Sequence, residues 1–305
     1  MLVKPWYSFP SGGERVRTLV GIDLRASSGH DRLVSRAAAY ALRLGAVVDV
    51  VFFLDGASEQ PDQRPRLDRM LAALPQALRG ISLIDERAAA AGLVEMSGEY
   101  QLMVLGSCEP SAWVRLLKGA AAARVLRKAL CPVLVPRGEG LPNHAPRMLV
   151  GVDVEGLDPG NILRHCAWWA EQLGGRLDAL YVEENQLPHI AERAVREAAE
   201  REWSALRAPK FERLKDLLRE SVVEENRGEP LLRQGDADAV LSKLSTEYDV
   251  VFVGNRDRDG LVRFVMGAVA AQVIRKAASD VISLPTAAGD AATGPPTPSR
   301  DRVPS

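Results

Sequence analysis

The stretch YQLMVLGSCEPSAWVRLLKGAAAARVLRKA, Tyr100 to Ala129, returns later in the chain as YDVVFVGNRDRDGLVRFVMGAVAAQVIRKA, Tyr248 to Ala277. The two align without a gap at an offset of 148 positions. Each runs from an apolar segment to a glycine (Gly106, Gly254), through a variable loop, to a second glycine (Gly119, Gly267) that opens an Ala-rich helix. Self-similarity on this scale means that one structural unit is used twice. Upstream, RTLVGIDL (Arg17 to Leu24) matches RMLVGVDV (Arg147 to Val154) at an offset of 130. Between these matches, ALRLGAVVDVVFFL (Ala41 to Leu54) pairs with AEQLGGRLDALYVE (Ala170 to Glu183). The change of offset from 130 to 148 leaves about 18 extra residues in the middle of the second unit.

Each unit reads as alternating strands and helices. TLVGID is short, apolar and flanked by charge, which makes it a buried strand and not a helix. Helices follow over Asp31 to Leu44 and Asn161 to Leu173, with Gly45 and Gly174 as their C-caps. The second strands are VVDVVFFLD and RLDALYVEE, and the third are ISLIDE and EPLLRQ. The fourth strands, LMVLGS and VVFVGN, precede the repeated loop, and PVLVP and DVISLP close the units. This alternation predicts an α/β fold of two tandem, doubly wound parallel sheets, five strands each, with helices on both faces. The expected division is a loose segment over 1–15, a first domain over 16–140, a second over 141–286, and a Pro-rich disordered tail over 287–305. The extra residues fall within 187–226, a charged helical stretch in which Pro209 should break or kink the helix. A solvated surface helix pair is the simpler reading of that stretch. A partner-binding arm is the other, with Trp203, Leu206, Phe211, Leu214, Leu217 and Leu218 as an apolar stripe.

Composition narrows the function classes. The 305 residues are 47% hydrophobic and 26% charged, with 39 Lys and Arg against 40 Asp and Glu, so there is no basic excess of the kind that binds nucleic acid. No apolar run approaches membrane-helix length, and MLVKPWYSFPSGGER lacks a signal-peptide core, so a cytoplasmic protein is expected. Cys108, Cys131 and Cys166 have neither disulfide nor zinc spacing, and His30, His144, His165 and His189 form no metal pattern. His165 and Cys166 are neighbours on one helix and point to different sides, which suits core packing and not a base and nucleophile. No catalytic residue is readable.

Two units whose first strand ends in Asp (Asp23, Asp153), whose fourth ends in Gly, and whose last helix leads into VLRKALCPVLVP (Val125 to Pro136) resemble the universal stress protein family in its tandem form. The resemblance covers Arg17 to Leu284. It implies a Rossmann-like fold related to adenine-nucleotide hydrolases, and pairing of the fifth strands as the dimer contact of the family. In a tandem chain it implies that PVLVP and DVISLP pair within one molecule, with a further homodimer of tandem chains as an extension.

ATP-binding members of that family carry a signature similar to G-x2-G-x9-G-[S/T]. Carried over, it implies Asp23, Gly106 and Gly119 in the first unit and Asp153, Gly254 and Gly267 in the second as nucleotide-binding positions, with ATP or another adenine nucleotide and Mg2+ as the cofactor. Two positions depart from it in both units. The middle glycine is Glu109 in one and Asp257 in the other, and the terminal hydroxyl residue is Ala120 and Ala268. A missing hydroxyl donor costs about 0.5–1.5 kcal/mol. A carboxylate about 4 Å from a phosphate repels it by roughly 4 kcal/mol at a surface-like dielectric, which is about a thousandfold in affinity. A bridging Mg2+, or the nearby Arg256, Arg258, Arg115 and Arg263, would offset part of that. The expected function is a non-enzymatic stress-response regulator or scaffold with degraded nucleotide loops, acting through a protein partner. The alternative is an adenine-nucleotide-binding member using one or both units.

Overall fold

The structure is a computed structural model, which describes residues 16–22, 30–53, 64–106, 120–137, 140–156, 158–183, 193–254 and 267–285. The first half comprises β1 (Arg17–Ile22), α1 (His30–Leu44), β2 (Val47–Phe53), α2 (Arg64–Ala72), β3 (Arg79–Asp85), α3 (Ala89–Met96), β4 (Leu102–Leu105), α4 (Ala120–Lys128) and β5 (Val133–Val135). The second comprises β6 (Arg147–Gly151), α5 (Pro159–Leu173), β7 (Arg176–Glu183), α6 (Arg193–Ser221), β8 (Arg227–Gln234), α7 (Ala237–Leu244), β9 (Val250–Gly254), α8 (Ala268–Lys276) and β10 (Asp280–Leu284). The terminal segments 1–15 and 287–305 lie outside the described residues.

The two predicted five-stranded sheets merge. One ten-stranded sheet runs β3-β2-β1-β4-β5-β10-β9-β6-β7-β8. Within each half every pairing is parallel, and the halves join by one antiparallel pairing of β5 with β10. At that seam Leu134 pairs with Ile282. These residues are equivalents in the repeat, so the pseudo-twofold axis passes between them. The pairing leaves neither fifth strand as an open edge. The outer edges are β3 and β8, and Pro230 is tolerated on β8 because an edge strand can spare a donor.

Each face of the sheet carries a core that runs through both halves. Val20, Val50, Phe52 and Val104 lie on one face with Val150, Ala179 and Phe252, under α1, α2, α5 and α6. Leu19, Val51, Met103 and Val133 lie on the other with Leu149, Val251 and Val281, under α3, α4, α7 and α8. The period-2 alternation along β1 sends Leu19 one way and Val20 and Ile22 the other, as a strand covered on both faces requires. Gly45 and Gly174 end α1 and α5 at φ values of 61° and 63°, the left-handed cap conformation that glycine adopts without a Cβ penalty.

Two expectations are corrected. The third strands begin two residues before ISLIDE and EPLLRQ, at Arg79 and Arg227. The inserted stretch is not a helix pair: α6 is a single helix of 29 residues that runs through Pro209. Its last part is anchored by Leu214, Leu217 and Leu218, all buried in the first core, with Phe211 packed against them. That burial outweighs the hydrogen bond the proline removes. The lower part of the predicted apolar stripe therefore faces this protein's own sheet, while the side chains of Trp203 and Leu206 lie outside the described residues.

The amino ends of the strands hold one polar cluster in duplicate. In the first half Arg17 donates to Asp49 Oδ2 from Nε at 2.8 Å and from Nη2 at 2.5 Å, and the Ile81 N–H donates to Asp49 Oδ1 at 2.7 Å. In the second half Tyr248 Oη donates to Asp178 Oδ2 at 2.6 Å, and the Glu229 N–H donates to Asp178 Oδ1 at 2.8 Å. In both halves the arginine lies over the tyrosine ring, Arg17 over Tyr100 and Arg147 over Tyr248, each at 4.8 Å from the centroid. Asp49 and Asp178 stand where the register of β2 against β3, and of β7 against β8, shifts by a bulge. The carboxylate fills the backbone gap that a bulge opens.

Candidate functional site at the carboxyl ends of the strands

In a parallel doubly wound sheet the crevice for a ligand lies beyond the carboxyl ends of the strands, where the connections diverge to opposite faces. Here β1 and β4 form that point in the first half and β6 and β9 in the second. Gly21 is in register with Leu105, so Gly106 falls one step beyond β4, beside the end of β1. Val150 is in register with Phe252, which brings Gly254 and the residues after β6 to one end of the sheet. Of the sequence-predicted positions, Asp153 and Gly254 are thus placed at the second-half end and Gly106 at the first, while Gly267 opens α8. Asp23 and Gly119 lie outside the described residues, as do both variable loops with Glu109, Asp257, Arg115, Arg256, Arg258 and Arg263.

Gly106 has φ of 141°, a backbone conformation open to glycine and strained for other residues. Gly254 sits close to α5: a Cβ there would stand 3.1 Å from Ile162 Cδ1, so that side chain would have to give by a few tenths of an ångström. Gly267 is the N-cap of α8, with φ −52° and ψ 143°, and the helix begins at Ala268. Lacking a side chain, Gly267 leaves the first-turn amide groups of α8 without a side-chain cap. Asp153 is exposed, and its Oδ1 accepts the N–H of Glu155 at 3.2 Å, while its carbonyl accepts the N–H of Gly156 at 3.1 Å. The side chain is thereby used to form a tight turn. Asp158 then caps α5 by accepting the Asn161 N–H at 3.1 Å, with Pro159 in the first turn.

A charged cluster next to this turn was not anticipated from the sequence. Lys210 of α6 donates to Glu155 Oε2 at 2.9 Å and lies 3.8 Å from Glu183 Oε1 at the end of β7. Arg207, one turn earlier on α6, pairs with Glu183 at 2.5 Å. Tyr181 Oη joins in, 3.3 Å from Glu155 and 3.4 Å from Lys210. The hydrogen bond to Glu155 holds the Lys210 ammonium above its ordinary pKa, and burial does the same for the Tyr181 hydroxyl. The inserted helix therefore delivers its cations to carboxylates of the strand ends. The i, i+3 spacing of Arg207 and Lys210 puts both on one helix face, but it does not identify their partners.

The end of the second half is rich in carboxylates: Asp153, Glu155, Asp158 and Glu183. Among the described residues no group of three or more His, Cys, Asp or Glu is placed to hold a metal ion. His165, Cys166 and Trp169 are buried in α5, where Trp169 meets Trp168 edge-on at 5.2 Å and faces Phe252 at 6.5 Å. Burial pushes the Cys166 thiol well up and the His165 imidazole down. This is a packed core, as the sequence pattern implied. Among the described residues no helix is long and apolar enough to cross a membrane.

Comparison with known proteins gives concordant matches. The model of the universal stress protein family matches residues 15–137 and again residues 145–285. Universal stress protein Rv2005c of Mycobacterium tuberculosis is 32% identical over 199 residues, covering 62% of this chain and 63% of that protein. Universal stress protein Rv2623 of the same organism is 31% identical over 204 residues, covering 64% of this chain and 65% of that protein. The matched segment thus spans less than two thirds of the length of either relative. Among solved structures, a protein of unknown function from Pseudomonas aeruginosa superposes with a TM-score of 0.63 at 18% identity, over 88% of this chain and 92% of that one. A universal stress protein from Archaeoglobus fulgidus gives a TM-score of 0.54 at 16% identity, over 88% and 96% of the two chains.

Proposed function

Because the chain belongs to the universal stress protein family, with two tandem copies of the family domain, we propose that it is a non-enzymatic regulator or scaffold of a stress response whose nucleotide sites have been given up. The observation that carries this reading is the paired loss in the two loops. An acid replaces the middle glycine and alanine replaces the hydroxyl residue in both copies, at Glu109 and Ala120 and at Asp257 and Ala268. One altered copy would leave the other competent, whereas the same two changes in both weaken phosphate binding in each. In this role the first domain spans 16–140, the second 141–286, and the site of action is the cytoplasm.

A second reading keeps an adenine nucleotide, with Mg2+, in one or both halves. It is favoured by the retained frame: Asp153, Gly254 and Gly267 are all kept in the second half, and Gly106 keeps a positive φ that favours glycine. Equilibrium titration with a fluorescent ATP analogue, with and without Mg2+, separates the two. The regulator reading expects no saturation in the micromolar range. Micromolar binding that is lost in Asp153→Ala would replace it with the nucleotide reading and locate the site in the second half. A homodimer of tandem chains is a further part of the proposal. Light scattering that returns only the 33.1 kDa mass of one chain at micromolar concentration would remove it.

A further inference from the structure

The seam between the halves is symmetric in its backbone and asymmetric in its side chains. Asp280, the first residue of β10, is fully buried. Its carboxylate is met from the other half by three groups. Arg36 Nη1 lies 3.0 Å from both carboxylate oxygens, Tyr40 Oη donates to Oδ2 at 2.9 Å, and the backbone N–H of Arg137 donates to Oδ1 at 2.8 Å. Two further arginines of the first half reach helix ends of the second. Arg43 donates to the carbonyl of Leu173, the last residue of α5. Arg137 donates to the Ile274 carbonyl near the end of α8, from Nε at 3.1 Å and from Nη2 at 2.6 Å. Cations at helix C-termini complement the helix dipole as well as the unpaired carbonyls. In all these contacts the first half donates and the second accepts.

The repeat shows what each half would offer to a copy of itself. At the offset that aligns Gly45 with Gly174, Arg36 corresponds to His165, Tyr40 to Trp169 and Arg43 to Gln172. At the offset of 148, Asp280 corresponds to Pro132 and Arg137 to Pro285. Two second halves paired through β10 would each bury Asp280 against His165, Trp169 and Pro285. Only the ring N–H groups of His165 and Trp169 would be there to meet the carboxylate, in place of a guanidinium and a phenol, and Pro285 has no N–H to give. A buried carboxylate that loses its guanidinium, its phenol and its backbone N–H is penalised even with those ring donors nearby. Two first halves paired through β5 would set the buried Tyr40 hydroxyl and the Arg36 guanidinium against Pro132, which has no side-chain acceptor. Both like pairings thus lose the polar partners that the mixed pairing satisfies.

We infer that the seam is heterotypic by construction: the first half's surface fits an antiparallel edge strand that opens on a carboxylate, so each half of this chain pairs with the other and not with a copy of itself. Such selectivity is set by the penalty on the wrong pair as much as by the gain in the right one. The partner class for any exchange between chains follows: a second copy of this protein can enter the seam only by swapping a first half for a first half, or a second for a second. The inference does not depend on whether a nucleotide binds.

The test inserts a protease site between Gly138 and Glu139, cuts the folded chain, and weighs the products by native mass spectrometry after equilibration at micromolar concentration. Mixed pairs of one first and one second half should exceed like pairs by about twentyfold or more. Like pairs making up about half of all assemblies, the outcome of indifferent pairing, would overturn the inference, as would halves that separate once cut. In the variant Arg36→Leu/Tyr40→Phe/Asp280→Val the like pairs should rise about tenfold. If that variant does not fold, Tyr40→Phe alone removes one oxygen and should raise them about threefold. No rise in a folded variant would show that this cluster does not select the pairing.

Discussion

Gly80 lies so close to Asp49 that a Cβ on it would stand 1.8 Å from Asp49 Oδ1 and 2.7 Å from the Val48 carbonyl oxygen. Gly228 has the same relation to Asp178, at 1.9 Å. The glycines open the edge strands to a carboxylate that fixes the bulge, and the arrangement occurs once in each half.

Alanine at Gly80 should therefore destabilise the protein by about 2–3 kcal/mol, as an overpacked site with no room to give. Asp49 cannot swing aside, because Arg17 and the Ile81 N–H hold it on both oxygens. Gly45→Ala is the control: its φ is 61° but nothing lies within 4 Å, so it should cost only about 1 kcal/mol. Urea denaturation of the two variants checks the order, and a smaller loss for Gly80→Ala than for Gly45→Ala would refute it.

The polar cluster was legible in principle. Arg17 and Arg147, Asp49 and Asp178, Gly80 and Gly228, and Tyr100 and Tyr248 are identical pairs in a repeat whose other surface positions have diverged. The repeat with its apolar periodicity was enough for the strands, helices and fold class, because those depend on local pattern. The pairing of β5 with β10 was implied by the family resemblance and not by the repeat. The repeat could not reveal the buried environment of Asp280, since a seam donor 240 positions away leaves no local trace, nor the salt bridges from α6 to Glu155 and Glu183. At the candidate site, glycine spacing showed where the frame stands, whereas the use of the Asp153 side chain in its own turn depends on backbone geometry that spacing does not encode.

Asp280→Ala should cost about 3–5 kcal/mol, the usual loss when one partner of a buried charge pair is removed. It removes the buried carboxylate from Arg36 and leaves the buried Tyr40 hydroxyl without its Asp280 acceptor. Tyr40→Phe should cost about 1 kcal/mol, because Arg36 and the Arg137 N–H still satisfy Asp280. Chemical denaturation followed by far-UV circular dichroism gives both values. A change below 1 kcal/mol for Asp280→Ala would mean that the carboxylate contributes little to joining the halves.

Stability should decline on the alkaline side well before the tyrosines ionise in the unfolded chain. Burial pushes the Cys131 thiol up to about 12 and the Cys166 thiol well above its ordinary value. Unfolded thiols lose their protons near pH 8.5 while the folded ones keep theirs. The folded state then binds more protons, so stability is intact below about pH 8 and falls above it by about 1.4 kcal/mol per pH unit for each thiol. At the acid side His165 acts in the opposite sense. Its folded pKa is lowered by burial and by Arg164, so the unfolded state takes up the proton first and stability falls as pH drops below about 6.5. Urea midpoints from pH 5.5 to 10 should show a plateau near neutrality. The variant Cys131→Ala/Cys166→Ala should be less stable throughout yet flatter above pH 8, and an unchanged alkaline slope would discount the thiols.

Replacing Pro209 with alanine should strengthen α6. Proline in a helix interior costs about 3 kcal/mol relative to alanine, offset by roughly 0.4–1 kcal/mol from the freer unfolded chain that alanine has. The buried Leu214, Leu217 and Leu218 hold the helix below this point, so the gain belongs to the stretch from Arg193 onward. Hydrogen exchange should slow there more than in the rest of the helix. Exchange that is faster in Pro209→Ala would show that the proline suits a bend the helix needs.

If acids in the loops are what ended nucleotide binding, reversing them should restore it. Asp257→Gly removes a repulsion of roughly 4 kcal/mol and returns the close backbone approach of glycine. Ala268→Ser places a hydroxyl at the first residue of α8, next to amide groups that Gly267 leaves uncapped, and adds about 1 kcal/mol. Together they should raise the affinity of the second half for an ATP analogue by about a thousandfold or more, with Glu109→Gly/Ala120→Ser doing the same for the first half. The second half also has carboxylates at the strand ends tied to an inserted helix through Lys210 and Arg207. A repaired first half that binds while a repaired second half does not would assign the remaining obstruction to that cluster. Failure of both would show that loop chemistry is not what keeps the nucleotide out.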